Sequence, residues 1–266
     1  MIPKKIHYCW LSGEDMPEII QDCIKSWKDV MPDYEFVCWD TDRFDVSSVP
    51  FVSEACSVKK WAFAADYIRR HALFSEGGIY LDTDVIIKKR LDEFLAHGFC
   101  VSMEYHPEII EEFNTLSLID ENGVSKEPYT GKPGIGIQAA VLGGIAGHPF
   151  PKECMDWYAK KHFILSKGKY NNVVIAPDIY AMVAEKFGFR YKDELQHLDN
   201  DMLILPSETF AGNQTYATEN SYAIHICVGS WRDEEKDEPK MSLLQRVLQK
   251  MNWMSNKILN RNNVCH

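Results

Sequence analysis

Two aspartates one residue apart close an apolar run in EGGIYLDTDV, residues 76–85. Read as a strand, this stretch sends Asp82 and Asp84 to one side, because side chains two apart on a strand point the same way. Two carboxylates aimed into one volume repel each other unless a hard cation sits with them, and oxygen donors of this kind suit a divalent ion. Ligands of open α/β sheets bind beyond the carboxyl ends of strands, and the pair ends the run IYL. The plain alternative is a turn-capping Asp82 with a solvated Asp84, the commoner case for a bare D-x-D. The flanking GGIYL and VII tip the reading towards a site.

Two further groups belong to the same question. Asp66 and Arg69 are three apart in a helical stretch and share a face. Alone they would be a surface ion pair worth ~0.5 kcal/mol or less. Their helix feeds directly into the D-x-D strand, so that face borders the same crevice. Far downstream, AIHICVGSW carries His225. A lone strand histidine is more often a core residue. Added to two carboxylates, its imidazole completes a set suited to Mn²⁺ or another divalent ion.

The elements that must position these residues follow from patterning. KKIHYCWL reads as a first strand. In MPEIIQDCIKSWKDV, Ile19, Ile20, Cys23, Ile24 and Trp27 recur at helical spacing, and Pro32 closes the helix. YEFVCWD reads as a second strand, and SEACSVKKWAFAADYIRRHALFSE as a long helical stretch broken once, which Gly77 and Gly78 stop. IYLDTDVII reads as a third strand. This alternation predicts an α/β domain with a largely parallel sheet. FCVSMEY is a further strand, residues 106–133 a variable insertion, and IGIQAAVLGGIAG a small-residue segment of no assigned type. Helices are expected near PKECMDWYAKKHF and APDIYAMVAEKFGF, and late strands at MLILP and YAIHICV.

Composition bounds the rest. The chain has 266 residues, 45% hydrophobic and 26% charged, the balance of an ordinary soluble globular protein. A net charge of −10 argues against nucleic acid as a partner. The eight cysteines, at positions 9, 23, 38, 56, 100, 154, 227 and 265, form no C-x-x-C pair. They are expected to be reduced thiols of a cytoplasmic protein, mostly buried. MIPKKIHYCW has no signal-peptide pattern, and no apolar run reaches the ~20 residues that span a bilayer.

The run AFAADYIRRHALFSEGGIYLDTDV resembles the central motif of the glycosyltransferase family 32 enzymes. That family includes bacterial capsular-polysaccharide enzymes and fungal mannosyltransferases, and it is related to the catalytic domain of the large clostridial glucosylating toxins. The likeness continues in IHYCWLSG, IKSWKDVMPDYEFVCWD, APDIYAMV and AIHICVGSW. It implies a GT-A-type, Rossmann-like nucleotide-binding domain with a mixed, largely parallel central sheet flanked by helices. The implied activity is metal-dependent, retaining transfer of a sugar from a nucleotide-sugar donor, a UDP-sugar by the Trp10 region. The implied acceptor is a glycan or lipid-linked glycan in cell-surface polysaccharide synthesis. Carried onto matching positions, Trp10 would stack on the base, Asp66 and Arg69 would bond donor-sugar hydroxyls, and Tyr80 would line the nucleotide pocket. Asp82 would contact the ribose and the metal-bound diphosphate, Asp84 would ligate Mn²⁺ or Mg²⁺ directly, and His225 would complete the metal site. Ser230 and Trp231 would close over the diphosphate, and Asp178 and Gln138 would lie on the acceptor side. The sequence departs from capsular relatives near position 139, where IQAAVLGG has no asparagine, and it has no N-terminal membrane anchor like that of the fungal relatives. That departure favours a bacterial cytoplasmic enzyme.

Two rival readings come from other classes. A haloacid-dehalogenase-like phosphatase also uses D-x-D at a strand end. Its motif usually ends the first strand and continues D-x-D-x-[TV], whereas here two strands precede it and position 86 is Ile. A non-catalytic sugar-nucleotide-binding protein would be expected to lose metal ligands that this chain keeps. The tail sets a second unit apart, residues 240–266 against a catalytic domain of 1–239. Lys240, Arg246, Lys250, Lys257 and Arg261 accompany one apolar helical face of Leu244, Val247, Leu248, Met251, Met254 and Ile258. Such a basic amphipathic helix either packs on the domain or makes peripheral contact with the inner face of the plasma membrane.

Overall fold

The first strand, β1 (Lys5–Cys9), leads to α1 (Glu18–Val30) and then β2 (Glu35–Trp39). Helix α1 buries Ile20, Cys23, Ile24 and Trp27 of the apolar stripe that its spacing predicts, and leaves Ile19 exposed. The long helical stretch is two helices, α2 (Pro50–Ser57) and α3 (Trp61–Glu76). They are broken where Lys59 takes a left-handed φ of 57°. Helix α3 ends at Gly77, whose φ is 65° and whose N–H returns to the Leu73 carbonyl. The chain turns there into β3 (Gly78–Leu81). This computed structural model describes residues 1–172 and 174–228. The expected boundary at 239, the helix at 240–266, Ser230, Trp231 and Cys265 lie outside the described residues.

The remaining elements are β4 (Val85–Ile87), β5 (Phe99–Tyr105), α4 (Pro107–Glu112), β6 (Ile135–Gly144), α5 (Pro149–Ala159) and α6 (Ala176–Ala184). They are followed by β7 (Gln196–Leu198), β8 (Met202–Leu205), β9 (Phe210–Ala211) and β10 (Ala223–His225). Seven strands form one sheet in the order β2-β1-β3-β6-β5-β8-β7. The pairings make it mixed and largely parallel: β1, β2, β3, β5 and β8 run one way, β6 and β7 the other. A second, three-stranded sheet has the order β4-β10-β9. One core gathers Ile68, Leu73, Tyr80, Phe150, Tyr158 and Tyr180, so it lies between α3, α5, α6 and the large sheet. The other gathers Trp27, Leu81, Val85, Ile87, Val141 and Phe210, between that sheet, α1 and the small sheet.

One expectation is corrected. The stretch IYLDTDVII is not one strand: β3 belongs to the large sheet and β4 to the small one, with Asp82–Asp84 as the turn between them. The small-residue segment IGIQAAVLGG is β6, central in the large sheet. Its smallness has a steric reason, since a Cβ on Gly143 would lie 2.6 Å from Cys100 Sγ.

Candidate active site

The site is built on the turn between the sheets. The Asp82 N–H donates to the Ala140 carbonyl at 2.8 Å, and the Val85 N–H returns to the Asp82 carbonyl at 3.1 Å. Beyond the turn, β4 runs antiparallel to β10 with Val85 opposite His225, and the Ile226 N–H donates to the Asp84 carbonyl at 2.9 Å. Helix α1 clamps β4 from behind: the Trp27 indole donates to the Val85 carbonyl at 2.6 Å and Ser26 Oγ accepts from the Ile87 N–H at 3.0 Å. The carboxylates of Asp82 and Asp84 therefore converge because a turn folds them together, not because a pleated strand alternates. Ligand atoms of Asp82, Asp84 and His225 all lie within 4.8 Å of one another.

Asp82 faces the α3 side. Its Oδ1 accepts from the Tyr80 hydroxyl at 2.9 Å and lies 3.2 Å from Arg69 Nη2. Arg69 is buried, and its donors all point inward. Nη1 donates to the Ala139 carbonyl at 2.6 Å and reaches Asp82 Oδ2 at 3.5 Å. Nη2 lies 3.4 Å from Asp66 Oδ1, and Nε reaches the Ala65 carbonyl at 3.4 Å. The guanidinium also lies over the Tyr80 ring, 5.0 Å from its centroid. Arg69 thus joins Asp66 to Asp82 rather than presenting free donors to a sugar. Tyr80, expected to line a nucleotide pocket, is only 1% exposed, and its hydroxyl is taken by Asp82. Asp66 is buried as well, with the Tyr158 hydroxyl 3.5 Å from its Oδ2.

Burial and charge set the ionisation of these groups. Burial pushes the Asp66 carboxyl up, opposed by the Arg69 and Arg70 charges. Burial works against the charge on Asp84 too, but the hydrogen bond from His225, 3.1 Å away, and that of the Val228 N–H hold it below its ordinary value. For His225, burial disfavours the imidazolium, while bonds to Asp84 and to the Cys227 thiol outweigh it and push the group up to about 11. The donor set suits a divalent cation: two carboxylates and one imidazole. Bonds of about 2.0–2.2 Å to a shared ion put its ligands about 3–4.4 Å apart, close to the separations already present.

The other expected residues divide. Trp10 follows the end of β1, and His7 of that strand pairs with Tyr80 of β3. That register brings Cys9 level with Asp82 and Trp10 one residue beyond. The Trp10 indole donates to the Glu14 carbonyl at 2.7 Å, and the ring is partly exposed. Asp178 is buried in the first turn of α6, against Gly131. Gln138 is buried with its amide bonded to its own strand. Sequence reasoning missed Tyr158, the Ala139 carbonyl and Cys227 as partners of the site. The seven described cysteines are all unpaired, with Cys23, Cys100 and Cys154 buried and Cys227 exposed.

Residues 17–99 match the family described as the glycosyltransferase sugar-binding region containing a DXD motif. The matched stretch is about a third of the chain and carries the glycosyltransferase DXD region. It holds α1 through β4, with Asp66, Arg69, Tyr80 and both aspartates of the motif. The chain is 24% identical to the initiation-specific alpha-1,6-mannosyltransferase of Candida albicans, over 89% of this chain and 74% of that protein. It is 38% identical to inositol phosphoceramide mannosyltransferase 3 of Schizosaccharomyces pombe, over 36% of this chain and 28% of that protein. Among solved structures, the PaToxG glycosyltransferase superposes with a TM-score of 0.47 at 18% identity, covering 70% of this chain and 69% of that one. The family match, with β1 and β2 preceding the D-x-D, removes the phosphatase reading. Among the described residues, no helix is long and apolar enough to cross a membrane.

Proposed function

We propose that this glycosyltransferase moves a hexosyl group from a nucleotide sugar to a hydroxyl of a glycan or lipid-linked glycan, with retention, using Mn²⁺ or Mg²⁺. The observation that carries the reading is the convergence of Asp82, Asp84 and His225 within 4.8 Å, beside the Asp66–Arg69–Asp82 chain of contacts. When bound, the cation supplies Lewis-acid neutralisation of charge on the diphosphate leaving group. The protein's own residues do the rest. Arg69 and Tyr80 hold the Asp82 carboxylate in one orientation, and Val228 N–H and His225 hold Asp84. Asp66, beside Arg69 and Arg70, accepts hydroxyls of the donor sugar. Trp10 offers a flat surface for the base at the same end of the sheet.

A UDP-sugar donor is supported by the resemblance of the Trp10 region to uridine-binding toxins. The curated relatives are named mannosyltransferases, so mannose is the first sugar to set beside it. A cytoplasmic enzyme of bacterial cell-surface polysaccharide synthesis, with peripheral membrane contact through residues 240–266, completes the proposal. The test is calorimetric titration of UDP and GDP, each with and without Mn²⁺, followed by hydrolysis assays of the matching nucleotide sugars. Mn²⁺-dependent binding of one nucleotide and turnover of its sugar are expected. Binding of neither would overturn the reading.

A further inference from the structure

The central strand β6 carries a large bulge beside the site. Against β5, Leu142 pairs with Val101 and Ile137 with Met103. Between those pairs β5 supplies Ser102 alone, while β6 supplies residues 138–141. An excess of that kind strips backbone groups of their ladder partners, and buried groups of this sort must find others. Gln138 provides them. It is 3% exposed. Its Oε1 accepts from the N–H groups of Ala140 at 2.7 Å and Val141 at 3.2 Å, and its Nε2 donates to the Val141 carbonyl at 2.8 Å. One side chain thereby satisfies three backbone groups within three residues.

The bulge aims two carbonyls at the site. That of Ala139 accepts from Arg69 Nη1 at 2.6 Å, and that of Ala140 accepts from the Asp82 N–H at 2.8 Å. Arg69 in turn touches both Asp66 and Asp82. We propose that Gln138 is a positioning residue for sugar transfer: it splints the bulge that sets Arg69, and through Arg69 the two carboxylates. The chemistry explains the residue type. The primary amide of a glutamine offers an acceptor for two N–H groups and, on a separate atom, a donor for a carbonyl. Methionine has the length and neither function. Glutamate keeps the acceptor and, when ionised, sets a carboxylate against the Val141 carbonyl. Gln138 therefore acts behind the donor site, in place of the acceptor contact expected from resemblance.

The inference rests on the transferase reading, and one measurement decides the splint without it. In the metal-free full chain, amide hydrogen exchange read by NMR should be at least tenfold faster at Asp82, Ala140 and Val141 in Gln138→Met, with the amides of β1 unchanged. Gln138→Glu should restore protection at Ala140 and Val141. With Mn²⁺ and the donor found active, Gln138→Met should lose at least tenfold in kcat while KM and nucleoside diphosphate affinity stay within threefold. Wild-type exchange at Asp82 in Gln138→Met would overturn the proposal. So would equal loosening of β1, which marks a general folding role, or unchanged kcat with a loosened bulge. A wild-type chain that turns over no nucleotide sugar tells against the transferase reading and not against the splint.

Discussion

Val85 lies directly opposite His225 in the β4–β10 pair, and this register places His225 Nε2 3.1 Å from Asp84 Oδ1. The candidate third ligand of the proposed cation is thus delivered to the D-x-D turn by strand pairing across 140 residues of sequence (225 against 85). The first prediction follows. Asp84→Asn should weaken Mn²⁺-dependent nucleotide binding by a factor on the order of 100 or more, because a neutral amide is a poor ligand for a hard cation. His225→Ala should weaken it less, since two carboxylates remain. Without metal, Asp84→Asn should cost about 1.5–3 kcal/mol, the scale of one hydrogen bond to a charged group. Calorimetry with Mn²⁺ and urea unfolding without it separate the two effects. Full Mn²⁺-dependent binding in Asp84→Asn would refute the ligand assignment.

Arg69 gives the second prediction. Its guanidinium spans the Ala139 carbonyl, Asp66 and Asp82 simultaneously, a span that one ammonium cannot reproduce. Arg69→Met leaves the partly buried Asp82 without a cationic partner and Asp66 with Arg70 alone, and should destabilise the fold by about 3 kcal/mol. Arg69→Lys keeps the charge and should fold with a smaller loss, yet turn over donor roughly 100-fold more slowly, as a misplaced reacting geometry does. If Arg69→Lys turned over donor at the wild-type rate, the bridging role would be wrong.

How much of this site was legible beforehand depends on the range of the signal. Asp66 and Arg69 stood out by helical spacing, and Asp82 and Asp84 by ending an apolar run, all local patterns. The reason for the convergence was not legible. It needs the chain to leave one sheet and enter another within three residues, and nothing in IYLDTDVII marks the exchange. Strand β6 was hidden because close packing against Cys100 and Phe99 keeps Gly143 and Gly144 small, which blurs strand propensity. Its bulge was hidden because it is defined by register against β5. The Tyr158 contact with Asp66 joins residues 92 apart, and periodicity carries no information at that distance.

The Gly77–Gly78 pair lets α3 turn into β3 and so sets where Asp82 falls. Gly78 has a φ of +118°, and a Cβ there would lie 2.7 Å from the Lys5 carbonyl oxygen. Gly188 also has a positive φ, +93°, with nothing near its Cβ position. Gly188→Ala should therefore cost backbone strain alone, about 1 kcal/mol. Gly78→Ala should add the displacement of β1 and cost about 2–4 kcal/mol. Urea midpoints of the two variants test the difference. Equal costs would mean that the approach of β1 to Gly78 is not tight.

His7 supplies a pH dependence. The Trp39 indole donates to its Nδ1 at 2.9 Å, and an indole N–H only donates. Nδ1 is then the acceptor, so Nε2 carries the proton and donates to the Gly77 carbonyl at 2.8 Å. Only the neutral ring fits, because a second proton on Nδ1 would meet the indole proton head-on. Burial lowers the pKa of His7 from its ordinary value of 6.5. A depressed folded-state value means that the unfolded chain takes up protons first, so stability is full above about pH 6.5 and is lost as pH falls from there through the folded-state value. Burial lowers His71 and His148 as well, adding to the same slope, while the Glu104 carboxylate raises His106 and the Asp84 carboxylate raises His225, and both oppose it. Urea unfolding at pH 7.5 and pH 5.5 therefore reads the His7 share as the difference between the wild-type chain and a variant that cannot titrate there. His7→Gln, which offers an acceptor and a donor but cannot titrate, should lose less between the two. An identical loss in both proteins would show that His7 carries none of the acid sensitivity. The strand-to-helix contact at Gly77 would then owe nothing to the charge state of the ring.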